Sequence, residues 1–589
     1  MPQSEQVTEL LTGQAVGPLV DLDQPVDFAV ASTGGGTHMR AQVAVSAGIK
    51  DIDAAKAALS DRFKLAPGEN GALLIQGVGR RSSHEGGDES DSDGDEGDHR
   101  ACELAPAYGA APMRIVCGMD AKSLGDLGPW LTRTAPRLPS TSDFHVDVRM
   151  QPLKGTISGF KRMFSVVAGG VLGEPSGVPG LRDAAISLGT DLVDFVLDLE
   201  KVSVDVQLSD AGAGLTATTR FSGNSSAFTR VVTAHADGGS PTPASFWQMP
   251  DDADSATFYR GLDPNDLARA RDLALKLLDA KLAEDHIKEA DRKVLVDALA
   301  KLPSSAPAAY ASGVDLEAVK KARGAGAALG SSPEPLQEME ARRVLAEALL
   351  GWHLLELDEP SSRLSAAVKD LVTAWSRPGL LGAYRAKVKG GPAPTIHLAP
   401  VLKGLPLPKD AQHYVIDLPF EHDTSPESHG PLASPPGATK AVAKPSKGRP
   451  KALLVHVFLA ADGPRTWLAV GGDEALVASK LSGALATGHT NARPDLGFFK
   501  DARTGSAGFF TLRSGSVMAQ AMGVLFSELG LRSDDSLEDL AHVPHGGTTP
   551  IVYSLTSQVG APTSVVATLQ VPRAAIEDAV VGVLRHGGF

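Results

Sequence analysis

The chain reads as an α+β protein made of two related lobes, each an antiparallel sheet covered by helices. Three observations predict this. An alternating strand, a short polar turn and an amphipathic helix recur as a unit along the chain; most units carry an extra strand joined by a hairpin, which makes the repeat ββα; and the units occur in the same order twice.

In chain order, the units run through 41–63 (AQVAVSAGIKDIDAAKAALSDRF), 113–131 (MRIVCGMDAKSLGDLGPWL), 144–164 and 215–232 in the first half. In the second they run through 466–485 (TWLAVGGDEALVASKLSGAL), 508–526 and 564–584. Period-two alternation marks the strands, and apolar spacings of three and four mark the helices. Asp51, Asp120, Ser222 and Asp473 stand where helix N-caps belong, because their side chains can accept from the orphan N–H groups of a first turn. Hairpins are expected at Asp210–Gly214, at Asp462–Gly463 and near Gly560–Pro562.

The closest internal match pairs VCGMDAKSL with AVGGDEALV. Around it the order predicts a tandem duplication: an extension over 1–24, a first lobe over 25–240 and a second over 243–589. On this alignment 27–59 matches 245–278, and GALLIQG (71–77) matches HYVIDLPFE (413–421). The second lobe gains an all-helical insert over about 265–388, whose Trp352, His353 and Trp375 read as helix core. Two polar inserts occupy equivalent places: an acidic loop over 80–100, and a Pro/Ser/Lys linker over 422–450 leading to Lys451. Both have the composition of disordered segments. One face of each sheet is expected to carry helices, leaving open faces that form a cleft or close into a sandwich.

The chain has 589 residues with 42% hydrophobic content, enough for packed cores over several domains. Its net charge is −14, from 56 Lys+Arg against 70 Asp+Glu. Eight carboxylates lie in the single loop Ser82–His99, without a Lys or Arg. The body is therefore close to ordinary in charge, and no basic motif points to nucleic acid. No segment approaches the roughly 20 apolar residues of a membrane span, and the N-terminus lacks the features of a signal peptide. Read alone, those features place the chain in the cytoplasm. The two cysteines point to export instead. Cys102 and Cys117 lie at mirror positions about a Tyr108–Ala111 turn, directly opposite one another in a hairpin, where a disulfide can close.

Chemistry is harder to find. Asp91, Asp93 and Asp95 start like a calcium loop, but Arg100 occupies the position that needs a bidentate Glu. His542 and His545 have H-x2-H spacing about a Pro and no evident carboxylate partner. His413, His422 and His429 are scattered about the linker. These are weak metal candidates, and no cofactor is expected. The S-x-x-K at Ser158–Lys161 lacks its companion motifs. GGGTH (34–38) and RGAGAALG (323–330) fail the context of a phosphate loop. The side chains picked as facing a ligand are Phe144, Phe246, Trp247, Trp467, Phe509 and Phe510, with Val146 and Thr511 beside them; ordinary core is their alternative.

PVDFAVAS, AVSAGIKDIDAAKAAL, RIVCGMDAKSL and SVVATLQVPRAAIEDAV, with the cysteine hairpin and the Gly/Ala/Pro-rich composition, resemble large uncharacterised exported or lipoprotein-like proteins of high-GC bacteria. The resemblance implies a periplasmic or envelope location and brings no catalytic residues. The expected function is thus a non-catalytic envelope protein that binds a lipid, a peptide or another envelope protein, or serves as a scaffold. The rivals are a hydrolase whose site assembles only in three dimensions, and an assembly component that docks through the helical insert.

Overall fold

The computed structural model describes residues 19–21, 23–33, 40–60, 63–76, 101–138, 142–159, 161, 180–234, 241–260, 268–302, 308–329, 335–387, 393–401, 404, 407–419, 452–486, 493–501, 503–517, 543–558 and 563–586. The acidic loop and the Pro/Ser/Lys linker lie outside these residues. The fold is α+β, with two antiparallel sheets of six and thirteen strands among the described residues. Two compact units contain them: residues 1–141 with 151–159, and residues 142–150 with 160–589.

The six-stranded sheet holds β1 (Asp27–Thr33), β2 (Arg40–Gly48), β3 (Lys64–Pro67), β4 (Leu73–Gln76), β5 (Ala101–Ala105) and β6 (Arg114–Gly118), in the order β1-β2-β6-β5-β4-β3. Helix α1 (Ile52–Ser60) follows β2 and α2 (Ala121–Arg133) follows β6. Helices cover both faces, not one as the alternation suggests. Ala55 and Leu59 of α1 pack with Ile75, Cys102, Ile115 and Cys117, whereas Leu124 and Leu131 of α2 pack with Ala44 and Val116. The reason is visible in β6, where all five residues of RIVCG are buried, the pattern of a strand covered on both sides. Val20, from the expected extension, bridges Ile49 and joins this core.

The first-half strands β7 (Phe144–Arg149), β8 (Leu199–Ser209) and β9 (Gly212–Phe221) belong to the larger sheet, so the sheets part after residue 141 and not at 240–243. Helices α3 (Leu181–Asp198) and α4 (Ala227–Thr233) flank β8 and β9, and Ser226, not Ser222, caps α4. Asp198 explains the choice. Its buried carboxylate accepts from Ser226 N, Ser225 Oγ and Thr229 Oγ1, which fixes where the helix starts.

After α5 (Ala244–Trp247) the chain makes β10 (Ser255–Phe258), α6 (Ala268–Glu284), α7 (Glu289–Ala300), β11 (Ala309–Gly313), α8 (Leu316–Ala327), α9 (Pro335–Leu350) and β12 (Trp352–Leu357). Then come α10 (Ser361–Trp375), α11 (Pro378–Lys387), β13 (Thr395–Ala399), β14 (Gln412–Leu418), β15 (Leu453–Asp462), β16 (Arg465–Gly471) and α12 (Glu474–Ala486). The chain ends with α13 (Phe498–Asp501), β17 (Ser506–Phe510), β18 (Ile551–Gln558), β19 (Thr563–Pro572) and α14 (Arg573–His586). The helical insert therefore carries two strands as well as its helices. WHLLEL, read as the end of a helix, is β12, because Gly351 adopts a left-handed φ of 50° and turns the chain out of α9.

The larger sheet has the order β13-β14-β15-β16-β12-β11-β10-β17-β18-β19-β9-β8-β7. Its first six strands reproduce β3-β4-β5-β6-β2-β1 one for one. LAP recurs at 65–67 and 398–400 on the matching edge strands, α1 and α10 follow β2 and β12, and Asp120 and Asp473 cap α2 and α12 alike. The match of β4 with β14 is as the sequence suggests. The partner of 27–59 is instead the stretch from β11 to α10, about 309–371, and not 245–278; β10 has no described first-half counterpart. Strands β7-β8-β9 and β17-β18-β19 meet through β9 and β19, where Ala217 pairs with Ala567. Those two alanines occupy equivalent places in LTATTRF and VVATLQV, so a pseudo-twofold axis runs between them.

Candidate metal centre

Three side chains far apart in sequence converge in the second repeat: His413 on β14, His456 on β15 and Glu474 in the first turn of α12. Their ligand atoms all lie within 4.8 Å of one another. The ladder explains the histidines. His413 pairs with Phe458 and Val415 pairs with His456, so the two imidazoles are diagonal neighbours on one face of the sheet. That face carries the core of Phe458, Ala460, Trp467, Val477 and Leu481, packed under α12.

Each ring is held. His413 is 2% exposed and stacks on Phe458, with centroids 4.2 Å apart and planes 4° from parallel. Its Nδ1 lies 3.1 Å from the carbonyl oxygen of Pro400, and its Nε2 lies 3.1 Å from His456 Nδ1. A carbonyl can only accept, so His413 Nδ1 carries the proton and Nε2 presents its lone pair. Without an ion, His456 Nδ1–H then donates to it; to ligate through the same nitrogen, His456 takes its other neutral tautomer, with the proton on Nε2. The Glu474 carboxylate is 3.6 Å from His413 Nδ1 and partly open to solvent.

Glu474 owes its place to the turn between β16 and α12. Asp473 caps the helix through Leu476 N, and the preceding Gly471 and Gly472 pass tightly against the end of α9, where a side chain would strike the carbonyls of Gly351 and Glu347. The same approach brings the Glu347 carboxylate towards His456. Burial and the neighbouring His413 hold the His456 pKa below its usual value, against the opposing pull of Glu474, Asp473 and Glu347.

Two neutral imidazoles and a carboxylate make a borderline-soft donor set, suited to Zn2+ and its transition-metal neighbours and not to Ca2+ or Mg2+. The nitrogen separation of 3.1 Å is near the roughly 3.3 Å that two nitrogens keep on a tetrahedral ion with Zn–N of about 2.0–2.1 Å. The Pro400 carbonyl on Nδ1 is the kind of outer support that fixes the tautomer of a ligating histidine. By register, the first-repeat counterparts are Leu74, Ala101 and Ala121, so the centre belongs to the second repeat alone.

Apart from His413, the residues picked from sequence fall elsewhere. Cys102 and Cys117 pair in register and form a disulfide. His545 donates its backbone N–H to Asp578, and its ring Nε2 lies 3.0 Å from a Glu577 carboxylate oxygen, which engages it away from the centre. His542, Asp91, Asp93, Asp95, His422 and His429 lie outside the described residues. Phe246, Trp467 and Phe509 are buried core, and Trp247 packs against that core. Thr511 is buried too, whereas Phe144 and Phe510 are exposed. His456 was not legible as a ligand, and His413 passed for part of the linker, because the two stand 43 positions apart with that linker between them. The available signal was an inward-facing histidine on each strand beside the insert.

Among the described residues no helix is long and apolar enough to cross a membrane. Comparison with family models, with curated proteins and with solved structures finds no match.

Proposed function

We propose that this chain is a non-catalytic binding and scaffold protein of the cell envelope, and that its second repeat holds one divalent transition-metal ion through His413, His456 and Glu474. The convergence of two oriented imidazoles and a carboxylate carries the metal reading. The bonded cysteine pair supports the envelope location, since such bonds persist in oxidising compartments. In this reading the ion is structural. It ties together β14, β15 and α12, the elements on either side of the linker, and His413 is too buried to meet a substrate.

Titration of the metal-free protein with Zn2+ and Co2+ tests the centre. One equivalent is expected to bind, with His413→Ala and His456→Ala each weakening affinity by at least about tenfold and His545→Ala leaving it unchanged. Absence of stoichiometric binding, or binding indifferent to both ligand substitutions, overturns it. Intact mass of protein from its source tests the location: reduced cysteines with Met1 retained would count against export.

A further inference from the structure

We propose that this chain forms a twofold homodimer by pairing β7 with β7 of a second copy, antiparallel and centred on Val146, to continue the larger sheet across two molecules.

Strand β7 closes one end of that sheet. Its inner edge pairs in full with β8, from Phe144 opposite Val206 to Arg149 opposite Lys201; among the described residues no strand pairs with its outer edge. Every residue of the strand except Val146 is exposed, Phe144 at 58% and Val148 at 43%. The second repeat shows what this position accepts. There the counterpart strand β17 has an antiparallel neighbour on each side, β18 and β10. Among the described residues the first repeat has no β10 equivalent.

The sequence of β7 identifies the occupant. Turned antiparallel upon itself about Val146, the segment DFHVDVR (143–149) sets Asp143 opposite Arg149, Phe144 opposite Val148 and His145 opposite Asp147, each twice. Charges meet their opposites and apolar side chains meet apolar ones at every step, the pattern that stabilises cross-strand pairs. A shift by one residue would put Phe144 opposite Arg149 and move side chains to the wrong face. The charges already bind within the molecule: His145 bridges Asp147 and Asp205, and Asp147 reaches Lys201. A second copy would give each an additional neighbour of opposite sign, as happens within a sheet. The β9–β19 join inside the chain is itself a pairing of equivalent strands about an axis. The proposed dimer repeats that geometry between molecules, as an isologous contact requires.

Analytical ultracentrifugation of the full chain should show a monomer–dimer equilibrium. Arg149→Asp, which faces Asp143 with a second carboxylate, should weaken the dimer by roughly tenfold or more, and the exchange Asp143→Arg with Arg149→Asp should restore it. Restoration is diagnostic because Asp143 also accepts from Leu208 N, so loss alone could reflect a disturbed strand. Mild oxidation should cross-link Val146→Cys chains but not Val148→Cys chains. A monomer at all concentrations, a dimer indifferent to Arg149→Asp, or preferential cross-linking at 148 overturns the proposal. Circular dichroism of each variant confirms that it has folded.

Discussion

At the scale of single residues, burial decides which polar groups respond to pH. His353 on β12 accepts or donates at 2.9 Å with Tyr310 and lies between β11 and β16. Burial lowers its pKa, a hydrogen bond at Leu350 opposes this only in part, and burial raises that of Tyr310. The unfolded chain thus takes up a proton near pH 6.5 that the folded chain refuses. Stability attributable to His353 is therefore complete above its ordinary pKa and is lost as pH falls through that value towards the depressed one. Urea unfolding at pH 7.5 and pH 5.5 should show a smaller loss for His353→Gln than for the parent; an equal loss would place the sensitivity elsewhere. His145 has the opposite sign, because its hydrogen bond to Asp205 raises its pKa and favours the charged ring below that value.

At the scale of elements, equivalent hairpins are tied in different ways. Cys102 and Cys117 join β5 to β6; their counterparts across β15 and β16 are Val457 and Val470, which pair in the same register. Removing the first link by Cys102→Ser with Cys117→Ser should cost about 3 kcal/mol, the entropy of a loop of this length. Val457→Cys with Val470→Cys should close a new disulfide under oxidant, because the ladder already opposes the two positions. Failure to close, with the fold intact, would refute the equivalence of the hairpins. This disulfide was legible in sequence because a hairpin's pairing is arithmetic about its turn. The His413–His456 pair was not, since no local rule fixes how strands meet across a long insert.

At the scale of the molecule, the β9–β19 ladder unites the halves within one sheet. Proline in a central strand removes a ladder donor and is confined in natural sheets to edges and bulges. Ala567→Pro should therefore expose the amides of β8, β9, β18 and β19 to hydrogen exchange while leaving β2 and β6 protected, since those belong to the other sheet. Loss of protection in both sheets together would show that the two units unfold as one. The proposed dimer extends the same sheet from its β7 end, so the whole assembly depends on strand edges and their register.

The sequence by itself determined the α+β class, the ββα repeat, the cysteine pairing and three of the four expected N-caps. Each rests on contacts within a short window, where side-chain period and turn chemistry are decisive. It also carried the duplication, although only the ladder order aligned 27–59 with β11 to α10. Tertiary structure alone decided that β7–β9 join the second sheet, that both faces of the first sheet are covered, and that WHLLEL is a strand. It alone brought His413, His456 and Glu474 together. Those outcomes depend on which edges and faces meet across long stretches of chain, and an alternating pattern states that a strand has two faces without stating what covers them.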